Sequence, residues 1–349
     1  MAARRAIAPA VAAVAVIVVI VVSGVAGFFT GSTAISSKET INVGLAIGAA
    51  DASDIPELYA LNVNLPKYGY NVVTTIVADE TDTMSALIAG EIQVAGLAPF
   101  APVILDAQGQ HLVIFGDMQA SPDEYMVCNN NITTVQQMIQ TQALTSYATK
   151  VDQTYLMPVY WLVTHGYNAT SINWTSIHGA ANRGSALLAG RTVCGSTDTS
   201  STAILLSQPG GKFHVVMSLG QMDPSLPFNV WVTTQSYFQS HQTELTNLMI
   251  SYLNALRWAQ TESNFMSYAP TLIGTQISTS LLTESYHELL GTGIWNPNSP
   301  WNSTIATSLA QQMYQFGLTS SLMPDSQFAT YTIADAALNS VGVYTTTTG

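Results

Sequence analysis

Residues 85–100 read Ser-Ala-Leu-Ile-Ala-Gly-Glu-Ile-Gln-Val-Ala-Gly-Leu-Ala-Pro-Phe, and two periodicities meet inside them. Met84, Leu87 and Ile88 fall at the i, i+3, i+4 spacing of a helix with one face on a core. Thr81 or Asp82 is available to cap its start, and Gly90 to close it in the left-handed conformation. Ile92–Leu97 is then a short apolar run of the kind that forms a strand inside a parallel sheet. Pro99 ends that strand, and Pro102 suits the first turn of a following helix.

The same grammar returns at residues 185–199, Ser-Ala-Leu-Leu-Ala-Gly-Arg-Thr-Val-Cys-Gly-Ser-Thr-Asp-Thr. Two copies of one helix–glycine–strand unit, this far apart, predict two similar α/β lobes rather than a solenoid, whose repeats are shorter. In open α/β sheets ligands sit beyond the carboxyl ends of the strands. Pro99, Phe100, Thr197, Asp198 and Thr199 are therefore expected to face a shared crevice.

Ala86–Ala95 resembles the Ala-Leu-x-x-Gly-Glu-[Ile/Val]-Asp-x-Ala signature of ABC-importer solute-binding proteins of the nitrate/sulfonate/taurine group. The run Gly69–Val73, a leading strand at Ile41–Ala46 and the segment Ile114–Asp117 fall where that group has equivalents. Gln93 stands where the signature has Asp. The resemblance implies an α/β, two-lobed, type II periplasmic-binding-protein-like fold with a two-segment hinge. It implies lobe 1 from 41–122 plus 229–343 and lobe 2 from 123–228. Relatives carry Gly and Ser where this chain has Thr149–Thr154, and there helix-start N–H groups hold an anion. Thr149 and Gln153 become candidate contacts on that ground, although Asp152 between them opposes an anion.

Read in order, Gly48–Asp54 is a loop at a strand's carboxyl end, where Asp51 or Ser53 either touches a ligand or caps the next helix. Further strands are expected at Val72–Val77 and Leu112–Phe115. Gly116–Gln119 then enters the crevice as a loop, with Asp117 and Gln119 receiving a cationic or hydroxylated solute or stabilising a turn. The chain crosses to the second lobe near Asp123 and returns near Phe228. Ser196–Ser201 is the densest hydroxyl cluster on a crevice loop, either a donor–acceptor set or an over-supplied cap. Phe238–Thr261 is predicted as one long helix.

Charged residues are only 9% of the 349, against about a quarter in ordinary soluble proteins, and net charge is −12. Such a balance excludes nucleic acid, which needs clustered Lys and Arg. So few charges also fit an acidic exterior. Arg4 and Arg5 precede an uncharged run from about Ala10 to Phe29, long enough to span a bilayer. Residues 1–30 are expected to be a membrane anchor, or a signal segment cleaved near the small residues Ser23–Gly27, with the bulk outside the cell, 31–40 a tether and 344–349 a disordered tail. Cys128 and Cys194 both fall in expected strands of the second lobe, as a disulfide or as buried thiols. The six histidines are scattered, and phosphate, zinc and serine-hydrolase motifs are missing, so no metal or cofactor is expected.

The leading expectation is a monomeric, membrane-tethered receptor that closes on a small solute and hands it to an ABC permease. The solute is expected to be a sulfonate, nitrate, taurine or a pyrimidine-like molecule. One rival is an enzyme of the same fold making thiamine pyrimidine, which needs a reactive Lys in the cleft. A sensory domain working with a signalling partner is the other.

Overall fold

The computed structural model describes residues 38–222, 226–274 and 277–345. The expected anchor at 1–30, most of the tether and the tail beyond 345 lie outside the described residues. Among those described, no helix is long and apolar enough to cross a membrane.

Ten strands form two mixed five-stranded sheets. The first holds β1 (Thr40–Leu45), β2 (Asn71–Ile76), β3 (Val94–Leu97), β4 (Leu112–Gln119) and β10 (Asn229–Thr234), in the order β2-β1-β3-β10-β4. The second holds β5 (Tyr125–Asn129), β6 (Leu144–Tyr147), β7 (Asn173–Ser176), β8 (Cys194–Thr197) and β9 (Phe213–Ser218), in the order β7-β6-β8-β5-β9. In each, four strands share one direction, and the strand that arrives from the other lobe inserts antiparallel to them at the fourth position. β3 and β8, the strands of the two matched stretches, both occupy the third position. The repeat seen in sequence is thus a repeat in topology.

Local chemistry accounts for the unit. Helix Glu80–Ala89 ends at Gly90, whose φ of 76° is left-handed, and helix Ala180–Leu188 is followed by Gly190 at φ 65°. The start of the first helix differs from expectation: Asp79, not Thr81 or Asp82, is its cap, accepting the Asp82 N–H at 2.9 Å. Gln93, standing in for the signature Asp, has a structural use. Its Oε1 accepts the Asn42 backbone and side-chain N–H groups at 2.9 and 3.0 Å, tying the entry of β3 to β1.

Other differences come from partners distant in sequence. β4 continues through Gly116–Gln119, so the expected crevice loop is strand. β10 pairs with it along that length through two register shifts, and a Cβ at Gly116 would stand 2.7 Å from Met249. The long helix breaks at His241 (φ −128°, ψ 34°) into Gln235–Ser240 and Gln242–Ala259. Leu245, Leu248, Met249, Tyr252, Leu253 and Leu256 of the latter pack beneath the first sheet, each large side chain contributing about 1.5–3 kcal/mol of burial. Helix Glu262–Ile273, which contains Pro270, was not foreseen. Cys128 and Cys194, opposite one another on β5 and β8, form a disulfide with Cα atoms 4.0 Å apart.

Two crossings join the sheets, one through 120–124 and the other through 219–222 and 226–228, and the described residues of the two are bonded to each other at both ends. Phe228 N–H donates to Gln119 O at 2.7 Å at one end, and Leu219 N–H to Glu124 O at 2.9 Å at the other. Between those bonds a Cβ on Gly220 would lie 2.5 Å from Pro122 O, so only glycine fits there.

Candidate functional site

The strand ends of both lobes converge on a cavity of about 70 Å³. From the first lobe come the residues after β1 and β2: Asp51, Asp54, Asp79 and Glu80. Those after β6, β7 and β8 come from the second lobe: Asp152, His178, Arg183 and Asp198. The joining segments add Asp123, Glu124, Phe228 and Asn229. Eight of the chain's 21 acidic residues therefore surround one small cavity, with a single arginine among them and no lysine.

That arginine is already engaged. Arg183 donates to Glu124 Oε1 at 2.7 Å, to Ser196 O at 2.5 Å and to Ile177 O at 3.3 Å, while the Ser196 hydroxyl donates to the other Glu124 oxygen. Three more carboxylates serve as helix caps: Asp79 as above, Asp152 for Gln153–Thr164 and Asp198 for Thr199–Leu206, the last accepting Ser201 N–H at 2.5 Å. Asp54 accepts from Asp51 N–H at 3.1 Å and from Gln119 Nε2 at 3.3 Å. Asp123 is 1% exposed and neither of its carboxylate oxygens has a hydrogen-bond partner.

Burial without counter-charge shows in the acidities. Desolvation first, then repulsion from neighbouring carboxylates, holds Asp51, Asp54, Glu57 and Asp123 well above the usual range. Burial pushes Glu124 up to about 7 against the pull of Arg183. Carboxyl meets carboxyl across the cleft twice, Asp51 with Asp198 and Glu80 with Asp152, and each pair needs a proton to be a hydrogen bond.

The lobes are closed on one another. Ala52 N–H donates to Ser200 Oγ at 3.3 Å, Tyr125 O–H to Glu288 Oε1 at 2.8 Å, and His178 Nδ1 lies 3.4 Å from Asp79 Oδ2. At the mouth, Gly48 and Gly179 bring backbone against backbone; both have left-handed φ, and a Cβ at Gly48 would stand 3.3 Å from Gly179 Cα.

Of the residues singled out in the sequence, Asp51, Ser53 and Asp198 line the cavity. Gln119 and Thr199 stand one layer behind it: Gln119 holds Asp54 and accepts Asn229 Nδ2–H at 2.7 Å, and the Thr199 hydroxyl donates to Asp123 O at 3.3 Å. Gln153 Nε2 donates to Pro227 O and Phe228 O at 2.8 and 2.9 Å, pinning a joining segment. The Thr197 hydroxyl pairs with that of Thr202 at 2.8 Å, and Thr149 Oγ1 is buried without a partner. Asp117 is paired with Ser299 within β4, where burial raises it to about 6. Pro99 and Phe100 do not line the cavity. Phe100 starts an apolar helix, and its ring goes edge-on to Phe316 in the first-lobe core, 5.6 Å between centroids, because a polar cleft offers it no burial.

Sequence reading passed over Asp79, Glu80, Asp123, Glu124, His178 and Arg183 as site residues. The signal was present in the composition: a chain with so few charges sets many of them just beyond strand ends.

Cap and charge can be separated at Asp198. Asp198→Asn retains the cap oxygen and removes one negative charge, whereas Asp198→Ala loses both. Urea unfolding at pH 7 should find the Asn variant about 1 kcal/mol more stable than the Ala variant. Equal stabilities would show that the cap contributes nothing.

No family model and no curated protein matches the sequence. Solved structures do match in three dimensions. A protein of Bordetella bronchiseptica superposes with TM-score 0.71 at 13% identity, over 87% of this chain and 98% of its own. The periplasmic nitrate-binding protein of Synechocystis gives 0.69 at 12% identity, over 88% and 90%. The periplasmic aliphatic sulphonate-binding protein of Escherichia coli gives 0.63 at 16% identity, over 83% and 97%. The last two are binding proteins rather than enzymes. What is shared at such identities is the course of the backbone, and by that measure this chain has the two-lobed α/β fold of the periplasmic nitrate- and sulfonate-binding proteins.

Proposed function

We propose that the chain is the extracytoplasmic solute-binding component of an ABC importer. One observation carries this reading: a cavity bounded by strand ends of both sheets, with two segments joining them. Such a geometry lets two lobes hinge around a captured molecule. Residues 41–122 with 229–343 form one lobe and 123–228 the other. The apolar run before residue 30 tethers the domain to the membrane, and the closed form presents its solute to a permease. The disulfide fits an oxidising compartment outside the cytoplasm. An enzyme of the thiamine-pyrimidine type finds no support in the cavity lining. That chemistry needs an amine there, and Lys67 instead donates to Asn64 Oδ1 at 3.0 Å.

The test is a thermal-shift screen of sulfonates, nitrate, pyrimidines and amines, followed by small-angle X-ray scattering of any hit. A solute at 100 times its dissociation constant should add about 2.7 kcal/mol to stability and reduce the radius of gyration as the lobes close. A protein that no solute stabilises, and whose radius of gyration no solute changes, would end the reading.

A further inference from the structure

The cleft's chemistry is the reverse of what an oxyanion needs. We propose that its solute is a compact primary ammonium ion, held by Asp123 on the first joining segment with Asp51, Asp54 and Asp198 also lining the cavity. The inference rests on the solute-binding reading and gives it a ligand class.

Asp123 is the decisive residue. It is 1% exposed and sits on the first joining segment; no donor meets hydrogen-bond geometry at either oxygen, and the Thr199 backbone N–H is the one nearby group that favours its charged form. A buried carboxylate without a donor costs several kcal/mol, and the usual remedy is a cation or a fully hydrogen-bonded network. The protein supplies no cation, since Arg183, the one arginine lining the cavity, is committed to Glu124, Ser196 and Ile177, and the single Thr199 backbone N–H is far from a full network. A nitrate or sulfonate placed here would meet carboxylates on both lobes. A ligand bearing N–H⁺ donors would supply what Asp123 lacks and would replace the carboxyl–carboxyl contacts between Asp51 and Asp198.

Size and lining narrow the class. A cavity of about 70 Å³ admits a molecule of a few heavy atoms. Phe228 is the sole aromatic among its lining residues, so there is no cage of the kind that favours a quaternary, fully methylated ammonium. Among the described residues, the group of three with ligand atoms close enough for one metal ion is Glu39, His241 and Glu244, outside this cavity. No three of the cleft carboxylates come close enough together to share a single coordination sphere.

Isothermal titration calorimetry on the full-length chain in mild detergent at pH 7.5 tests this. The probes are ethanolamine, 1,3-diaminopropane, taurine, sodium nitrate and calcium chloride. At least one of the two amines should bind, and taurine, nitrate and calcium should not. Asp123→Asn should weaken amine binding at least tenfold, and Asp54→Asn should weaken it less. Asp335→Asn, an exposed acid on helix Thr332–Val341, should leave it unchanged. Circular dichroism confirms that each variant is folded. Binding of taurine or nitrate with silent amines overturns the ammonium proposal while the solute-binding reading stands. Saturation by calcium alone, silence from both amines, or an undiminished affinity in Asp123→Asn also overturns it. Failure of the broader reading shows itself separately, as lobes that no solute moves.

Discussion

The ligand-free protein should be more stable at pH 4.5 than at pH 7.5, the opposite of ordinary acid denaturation. Asp117, ordinarily near 3.8, is raised to about 6 by burial, and Glu124, ordinarily near 4.5, to about 7. Asp51, Asp54, Glu57 and Asp123 are raised for the same reason, with mutual repulsion added. A carboxyl raised in the folded state binds its proton more tightly there than in the unfolded chain. Its contribution is therefore fully present below the unfolded value, around pH 4, and is lost as pH rises through the folded value. Asp117 and Glu124 should each lose roughly 3 kcal/mol across that window. The cleft acids add to the loss in the same direction. With 9% charged residues there is little general repulsion to offset this at low pH. Urea unfolding at half-unit steps from pH 4 to 8 should show stability falling toward neutrality, and Asp54→Asn should flatten the curve. A stability maximum between pH 7 and 8 would refute the assignment, and with it the case for an acidic exterior.

Reducing the protein should cost it about as much. The Cys128–Cys194 bridge closes a chain separation of 66 residues, and in the chain-entropy account a loop of that length stabilises by about 4 kcal/mol. Its position makes the loss local. Cys128 pairs with Cys194 at the edge of the β5–β8 ladder, and β5 is the strand that arrives from the first lobe and holds both β8 and β9. Loosening it frees the centre of the second sheet, while the first sheet keeps all its partners. Cys128→Ala with Cys194→Ala, or treatment with phosphine reductant, should lower the unfolding free energy by about 4 kcal/mol. Hydrogen exchange should rise first in residues 125–129 and 194–197. A change below 1 kcal/mol, or exchange rising equally in both sheets, would count against this account.

How much of this could be read beforehand depends on the range of the interactions concerned. The helix–glycine–strand unit was legible because its causes lie within a dozen residues: an apolar stripe, a cap and a glycine at positive φ. Gly90 and Gly190 end their helices as expected, and β3 and β8 take equivalent places. β4 was misjudged past Phe115 because its continuation depends on β10, more than a hundred residues later. Phe100 was expected at the ligand because it follows a strand end. Whether an aromatic there turns to cleft or core depends on whether the core offers a partner, and Phe316 does. The acidic cavity was the least legible feature. Its residues come from five strand ends and two joining segments, and each alone reads as an ordinary helix cap or turn acid. Of these, only Asp51, Ser53 and Asp198 were named as possible ligand contacts, with capping as the alternative.

The apposed joining segments have a mechanical consequence. Bonded together at Gln119–Phe228 and Glu124–Leu219, with no room for a side chain at Gly220, the two crossings are held as a pair at both ends and act on the proposed reading as one strap. A strap of this kind bends across its width but resists sliding along its length. Opening, on the proposed reading, is then a swing about the strap. Asp123 and Phe228 lie on the axle and scarcely shift, whereas Gly48 and Gly179 at the rim travel furthest. An incoming solute would find Asp123 already in position, and the acids of the two lobes would fold down upon it.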